Sequence, residues 1–503
     1  MISFQKPFVR GSLTFVLLLV VFLLRLSLIN KGQFFFPDEF RYNMVYKAYG
    51  ALVDGHFRDA FYNMFHSQGR PGFIAACIPI AAVQQLLVKL RLITPYGYHF
   101  PCVVSFFNVA VSVGALYLFY RIIFVLSGER RISFLGAGVY ALLCNSNIYL
   151  RHIFPYDMAI SIFFLALYLY LRVRAVKEPG ISIYALCGIL SALSFLVYPG
   201  YCNILAFFGI VFILLKDRIL PGILVYFVSA GCVISITEVI SRIAGRPYLA
   251  DLAQLSGTAT QGTFSESLVF IVKYLLQVEG PAGAILICGF LAYVISRTRK
   301  DILKFTPDKS VITAALILYL YHGILGVFFN KVVFYGRLIH FYIPMLVIAL
   351  VLAIKEISLP GVRRLAVWTV AGTSIISFLI FFRAYFDLEY PRYFIYKNTK
   401  NCPRERITRI DETGKQWETG PGHDLMLLVN TNFLSPIKKD HFPLEDPKGL
   451  VLASSSPHPL TFKAYLFEGF SVEERKWTAE RKYRMKMFLP EKVNEMFKNM
   501  EKR

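Results

Sequence analysis

Asp38 and Glu39 are adjacent acids within ten residues of the end of the first long apolar run. A carboxylate so near lipid is costly unless it is paired or used. Facing a cavity at the membrane surface, it could take the proton of an acceptor hydroxyl as a general base. Neighbouring residues point about 100° apart on a helix and to opposite faces of a strand, so the two acids are not expected to share one task. The same stretch supplies Arg41, Lys47, Arg58 and Arg70, and such cations neutralise phosphates through charge-assisted hydrogen bonds. An N-cap or a lipid-headgroup contact would explain an acid here without chemistry. Two other places set charged or titratable groups at the ends of apolar runs. Arg151 and Asp157 stand six residues apart in RHIFPYD, and Arg337 and His340 one turn apart in YGRLIHFYIP. A snorkelling Arg and an Asp at a helix start would account for the first, and an interfacial anchor for the second.

The elements that must position these residues are membrane helices. Of 503 residues 56% are hydrophobic and 17% charged, against about 25% charged in a soluble domain. Mean hydropathy is +0.53. This excludes a disordered chain, and it excludes a soluble nucleic-acid binder despite the net charge of +22. Eight cysteines are too few for a disulfide scaffold. Seven of them fall in or beside apolar segments, and no CxxC pattern occurs. No metal-ligand cluster is visible, and lone His66, His152 and His322 read as structural. The fold class is a polytopic α-helical membrane protein.

Spans of about 20 apolar residues are read at 11–29, 71–90, 100–126, 130–150, 153–171, 181–198, 200–215, 219–240, 279–296, 310–329, 333–354 and 365–383. Cytoplasmic loops carry the Lys/Arg excess. With the N-terminus inside, the clusters at 130–131, 172–177, 216–218, 297–309 and 355–364 all fall inside if 71–90 does not cross fully. Pro79, Gln84, Gln85 and Lys89 interrupt that segment. The expectation is therefore about 11 crossings, with residues 1–383 forming a transmembrane domain and 384–503 a soluble extracytoplasmic domain. Two long outer loops follow, 30–70 and 241–278. In the first, Phe40–Leu52 and Phe57–Phe65 read as interfacial amphipathic helices. The second, with Arg242, Arg246, Asp251, Glu266 and a Ser/Gly/Thr-rich centre from Ser256 to Ser267, reads as a mobile flap over the site or a plain connector. The tail reads as a small α+β domain with strands at Leu425–Val429, Gly449–Ala453 and Thr461–Phe467 and a basic helix over Glu473–Met487.

PDEFRY after a first span resembles the acidic motif of the GT-C class of membrane glycosyltransferases. The nearest branch holds the protein O-mannosyltransferases and the lipid A aminoarabinose transferases (glycosyltransferase family 39-like). Arg151 and Asp157 fit that branch's Arg-to-acid spacing at the outer end of a later span. Tyr335–Pro344 resembles its late R-Y-x-x-P-type helix start. Gly69-Arg70-Pro71-Gly72 stands where relatives have a Lys-Pro-rich start to the next helix. Tyr198-Pro199-Gly200-Tyr201 stands where they often have a Lys-Gly turn, so no cation is supplied there.

The resemblance implies a GT-C fold and an inverting glycosyltransferase. Its donor would be a polyprenyl-phosphate sugar, and its acceptor lipid A, an envelope glycan or a protein, on the extracytoplasmic face. Asp38 would be catalytic with Glu39 beside it, and Arg41, Arg70, Arg151, Asp157, Arg337 and His340 would bind donor phosphate or sugar. No cofactor is implied, though some relatives use a divalent cation. Membrane lipids are the other expected partner, and nucleic acid is not one. The membrane would be a bacterial inner membrane, since no retention signal of the endoplasmic reticulum is evident. A polysaccharide polymerase or ligase shares this layout, but would place its key Arg and His residues in a large late outer loop. A secondary transporter would place charges near the midplane, whereas those inside these spans, Arg25 and Glu238, lie near span ends.

Overall fold

In a computed structural model the chain divides into two compact units, residues 1–29 with 38–381 and residues 30–37 with 382–503. The structure describes residues 11–32, 42–66, 70–94, 99–150, 153, 155–216, 219–260, 267–300, 305–329, 336–386, 393, 397, 407–410, 425–430, 451–454, 458–459 and 482–488.

Among its described residues, the regular elements of the first unit are all helices. Its elements are α1 (Gly11–Ser27), α2 (Asn43–Val53), α3 (Phe57–Phe65), α4 (Pro71–Lys89), α5 (His99–Ser127), α6 (Arg130–Leu142), α7 (Asn145–Ile148), α8 (Tyr156–Arg174), α9 (Ile181–Val197), α10 (Asn203–Leu215), α11 (Ile219–Ile243), α12 (Tyr248–Thr260), α13 (Phe270–Tyr274), α14 (Pro281–Lys300), α15 (Pro307–Phe329), α16 (Gly336–Lys355) and α17 (Pro360–Phe386). Six of these helices are long and apolar enough to cross a membrane, and four shorter ones are apolar. The chain is thus a helical, multi-pass membrane protein. In lipid every backbone polar group must be satisfied within its own segment, which is why apolar runs of this length become helices.

Lipid tails are as apolar as Leu, so helices in a bilayer associate through close packing at small residues. Gly188 on α9 illustrates this. A Cβ there would collide with the Tyr226 carbonyl oxygen of α11 and lie 3.1 Å from Ser229 Cβ. The obstacle is backbone and cannot swing aside. Gly188→Ala is therefore expected to destabilise the protein by about 1–3 kcal/mol, read as a lower thermal unfolding midpoint in detergent. An unchanged midpoint would mean that α9 and α11 separate freely.

The bundle has two chemically different ends. At one lie the last turns of α8 and α14, the first turns of α15 and α17, and the α5–α6 junction. Arg297 pairs with Asp308 (2.9 Å) and Glu356 (3.4 Å), Tyr293 donates to Asp308 (2.9 Å), and Arg363 pairs with Glu129. Arg174 and Lys177 at the close of α8 line a cavity with Asp308, and Arg130 and Arg131 follow Glu129 at the start of α6, so four of the basic clusters reach this end. The opposite end holds the start of α4, α8 and α16 and the close of α1, α6 and α9.

α4 has the length of a span, but its contacts keep it at that opposite end. Gly72 abuts the Leu196–Val197 backbone at the close of α9, 2.8 Å from where its Cβ would be. Gln84, twelve residues on, donates to the Phe100 carbonyl at the start of α5 (2.6 Å) and to Tyr46 of α2 (3.1 Å). Ser161, near the start of α8, meets α5 at the Val111 carbonyl (3.4 Å). From there α5 runs on for about 18 Å to His99, at 1.5 Å per residue. α4 therefore extends away from the basic end alongside this projecting part of α5.

The expected apolar span over 130–150 is instead α6 followed by the separate turn α7. The reason is Asn145-Ser146-Asn147, three polar residues inside the apolar run and all buried.

In the second unit, β1 (Ile407–Ile410), β2 (Leu425–Asn430), β3 (Val451–Ser454), β4 (His458–Pro459) and β5 (Lys482–Phe488) form a sheet. Its order is β1-β2-β5-β3, with β4 also pairing β5. β1 and β2 are parallel, while β5 is antiparallel to β2, β3 and β4. β5 covers part of the stretch read above as a basic helix. Tyr483, Met485 and Met487 alternate there with Lys482, Arg484 and Lys486, which is a strand period. Thr461–Phe467 lies outside the described residues.

Candidate functional site

Four of the residues singled out from sequence meet at the end of the bundle opposite the ion pairs: Arg70, Asp157, Arg337 and His340. Asp38, Glu39, Arg41 and Arg151 lie outside the described residues, as does His152.

Asp157 sits in the first turn of α8 and keeps 13% side-chain exposure, while His340 on α16 has none. Nε2 of His340 lies 3.6 Å from Asp157 Oδ1. That is too long for a hydrogen bond, yet within ion-pair range once the ring is protonated. The imidazole thus stands behind the carboxylate and reaches a ligand only through it. Tyr149 packs edge-on against the same ring, with centroids 5.9 Å apart.

The other ring nitrogen is fixed by Asn145. Asn145 Nδ2 donates to the Tyr274 hydroxyl (2.6 Å) and to the Gly336 carbonyl (3.2 Å). A carbonyl only accepts, so the amide orientation is set and Oδ1 is the acceptor. It lies 2.6 Å from His340 Nδ1. Nδ1 therefore carries a proton, an assignment made from the network, and Nε2 faces Asp157.

The two arginines are held by tyrosines. The Arg70 guanidinium lies over the Tyr198 ring, 5.4 Å from its centroid, in the geometry of a cation–π contact. Tyr198 is T-stacked on Tyr156 at 4.7 Å and on Tyr201 at 4.8 Å. Arg337 Nη1 donates to the Tyr156 hydroxyl (3.4 Å), and Tyr201 donates to the Arg337 carbonyl (2.9 Å). The Tyr198–Tyr201 turn supplies no cation, as its sequence says, yet it secures two. Gly200 is required in it, because a Cβ there would come within 2.5 Å of the Tyr198 ring. Arg70 and Arg337 are both largely buried, at 8% and 7% exposure.

The sequence reading passed over two further parts of this site. One is the polar turn α7. Besides Asn145, it carries Asn147, whose Oδ1 accepts from Arg25 Nε (3.1 Å), and Ser146, near Arg25 Nη2 (3.5 Å). Arg25 Nη1 reaches Ser112 of α5 (2.9 Å), and Asp157 lies within its electrostatic reach. The other is Glu279, which closes a π-helical turn, Leu275–Glu279, just before α14. Its two oxygens accept from the Cys144 and Asn145 amides, each at 2.7 Å. The signal available for α7 was NSN inside an apolar run. Nothing marked Glu279, whose partners are 134 and 135 residues away.

No protein-family model matches the chain, and no curated protein sequence matches it. The site must be read from its own chemistry.

Among the described residues no three His, Cys, Asp or Glu side chains converge as a metal site. His66 and His322 have hydrogen-bonding neighbours instead. Arg246 Nη1 lies 2.6 Å from His66 Nδ1, and Asn203 Nδ2 lies 3.0 Å from His322 Nδ1. Burial and the nearby Arg246 hold the His66 ring below its ordinary range. Arg246 also pairs with Asp251 of α12 (2.9 Å). Tyr248, at the start of α12, is buried against Phe65 of α3 and Phe195 of α9. This part of the loop over 241–278, read as a flap or connector, is a docked helix.

The arrangement sets one partly exposed carboxylate against a buried imidazole, next in the chain to Tyr156, which meets Arg337 and the Tyr198 ring beneath Arg70. It suits a ligand with both hydroxyls and an anionic group. The carboxylate would accept hydrogen bonds, and the cations would neutralise the anion.

Proposed function

We propose that the protein is an inverting glycosyltransferase of GT-C type, moving a sugar from a polyprenyl-phosphate donor to an acceptor on the extracytoplasmic membrane face. The observation that carries this reading is the gathering of Asp157, Arg337, His340 and Arg70, from three distant stretches of sequence, at one end of a helical membrane bundle. The basic stretches around Arg130, Arg174, Arg297 and Arg363 lie at the other end, where Lys/Arg bias would put the cytoplasm. The outward run of α4 supports 11 crossings with the N-terminus inside, the sheet-forming unit outside, and α2 and α3 in the outer loop as interfacial helices.

Asp38 is the base in this reading. It removes the proton of the acceptor as that group attacks the anomeric carbon, opposite the departing phosphate. A single displacement inverts the configuration. Arg70, Arg151 and Arg337 stabilise the charge gathering on the phosphate. Asp157 orients Arg151 or a sugar hydroxyl, and His340 acts through Asp157. A lipid-linked donor suits a compartment without nucleotide sugars, and a bacterial inner membrane is the setting we favour. The acceptor is lipid A, an envelope glycan or a protein.

Mass spectrometry of lipid A and envelope glycans, with and without the gene, tests this. The expected result is loss of one sugar, with its polyprenyl-phosphate form accumulating. Identical sugars and identical lipid-linked pools in the two strains would sink the proposal.

A further inference from the structure

We propose that Glu279 is a positioning residue for this site: it clamps the α7 turn so that Asn145 holds the His340 imidazole as its Nδ1–H tautomer, with Nε2 presented to Asp157.

Each link is a contact between groups of defined role. Glu279 is 3% exposed, and each carboxylate oxygen takes one amide N–H, from Cys144 and from Asn145. A carboxylate is the one side-chain group of this size with two acceptors and no donor. Gly280 follows it with φ +57°, a conformation open to glycine, and this turns the chain away into α14. The amide that Glu279 holds belongs to Asn145 itself, so the clamp fixes the backbone from which the Asn145 side chain projects. That side chain then has three determined bonds, to Tyr274, the Gly336 carbonyl and His340. The ring has no freedom to turn over without losing the Asn145 bond. Tyr274 arrives from α13, Gly336 and His340 from α16, and the two amides from the α6–α7 junction. Three stretches of chain therefore converge on one imidazole orientation.

The inference rests on the transferase reading for its consequence, but its geometry can be tested separately. The purified full-length protein in detergent, with ring-¹⁵N histidine, gives His340 signals assigned by their absence in His340→Gln. At pH 8 the wild-type ring should report more than about nine-tenths Nδ1–H. Glu279→Gln keeps the size but sets an NH₂ against one amide, so it should release the turn and shift His340 toward a mixture of tautomers. Asn145→Leu, which leaves Glu279 and both amides intact, should do the same. An unchanged Nδ1–H fraction in a folded Glu279→Gln protein would overturn the proposal. If that variant does not fold, Asn145→Leu decides, and an unchanged Nδ1–H fraction in it would overturn the proposal. In transfer assays with the polyprenyl-phosphate sugar, Glu279→Gln should lower kcat about tenfold with KM nearly unchanged. Tautomer shifts with no sugar lost on gene deletion would leave the positioning role standing and remove the transferase.

Discussion

Asp38→Asn is expected to abolish sugar transfer while the protein accumulates in the membrane at its normal level. The amide has the shape of the carboxylate, so it keeps any cap or headgroup contact that a neutral acceptor can satisfy. What it loses is the capacity to take a proton. A positioned general base contributes about 10²–10⁴-fold to a rate, so residual transfer should fall by at least about 10²-fold. The polyprenyl-phosphate sugar should accumulate as in a strain without the gene. Glu39→Gln is the control, because adjacent side chains point in different directions and this one should retain most of the activity. Wild-type transfer by Asp38→Asn would leave Asp157 as the candidate carboxylate if Glu39→Gln is also active. The same assay on Asp157→Asn would then decide between them.

How much of this could be read from sequence differs sharply between elements. Apolar length shows the membrane helices, because lipid imposes one rule on every residue of a span. The stretch Phe57–Phe65 is α3, and α2 covers most of Phe40–Leu52, for a similarly local reason. The polar hub was harder. A window that averages hydropathy over about 20 residues dilutes Asn145, Ser146 and Asn147 among the leucines and tyrosines around them, and α6–α7 then reads as one span. His340 and Asn145 are 195 residues apart, and no spacing rule reaches that far. Tyr198 and Tyr201 stand in a turn that supplies no cation. Their contribution is aromatic and hydroxyl contact with Arg70 and Arg337, which depends on where α4 and α16 begin. In β5 the basic composition suggested a helical end, whereas the period of two in the apolar positions was the stronger local signal. His340 illustrates the general limit. Its type and its turn spacing from Arg337 suggest a phosphate contact, and only its burial behind Asp157 turns that into an indirect role.

Arg25→Met is the second large effect we expect, a loss of about 3 kcal/mol of stability, since hydrogen bonds to charged groups are worth about 1.5–3 kcal/mol each. The guanidinium at the close of α1 is 3% exposed and spreads its donors over Asn147, Ser112 and Ser146. Ser112 and Ser146 keep bonds of their own to the Val109 and Tyr140 carbonyls, so the loss concentrates on Asn147 Oδ1. Methionine recovers the desolvation cost of the charge and fills the space, which keeps the loss well short of three full bonds. Arg25→Lys should fall between, because an ammonium cannot reproduce the planar fork. Thermal unfolding in detergent measures both, and a Met variant as stable as wild type would show that packing outweighs the network. The comparison becomes sharper with Glu279. The carboxylate holds the first amides of α7 and the guanidinium holds Asn147 near its close, which is the polarity that a helical turn favours. Both groups act on the same four-residue turn. Once one clamp is gone, removing the other should cost less, so Arg25→Met with Glu279→Gln should fall short of additivity by about 0.5–3 kcal/mol, as neighbours sharing a network do. Strict additivity would mean that α7 is two independent contacts rather than one rigid piece holding His340 against Asp157.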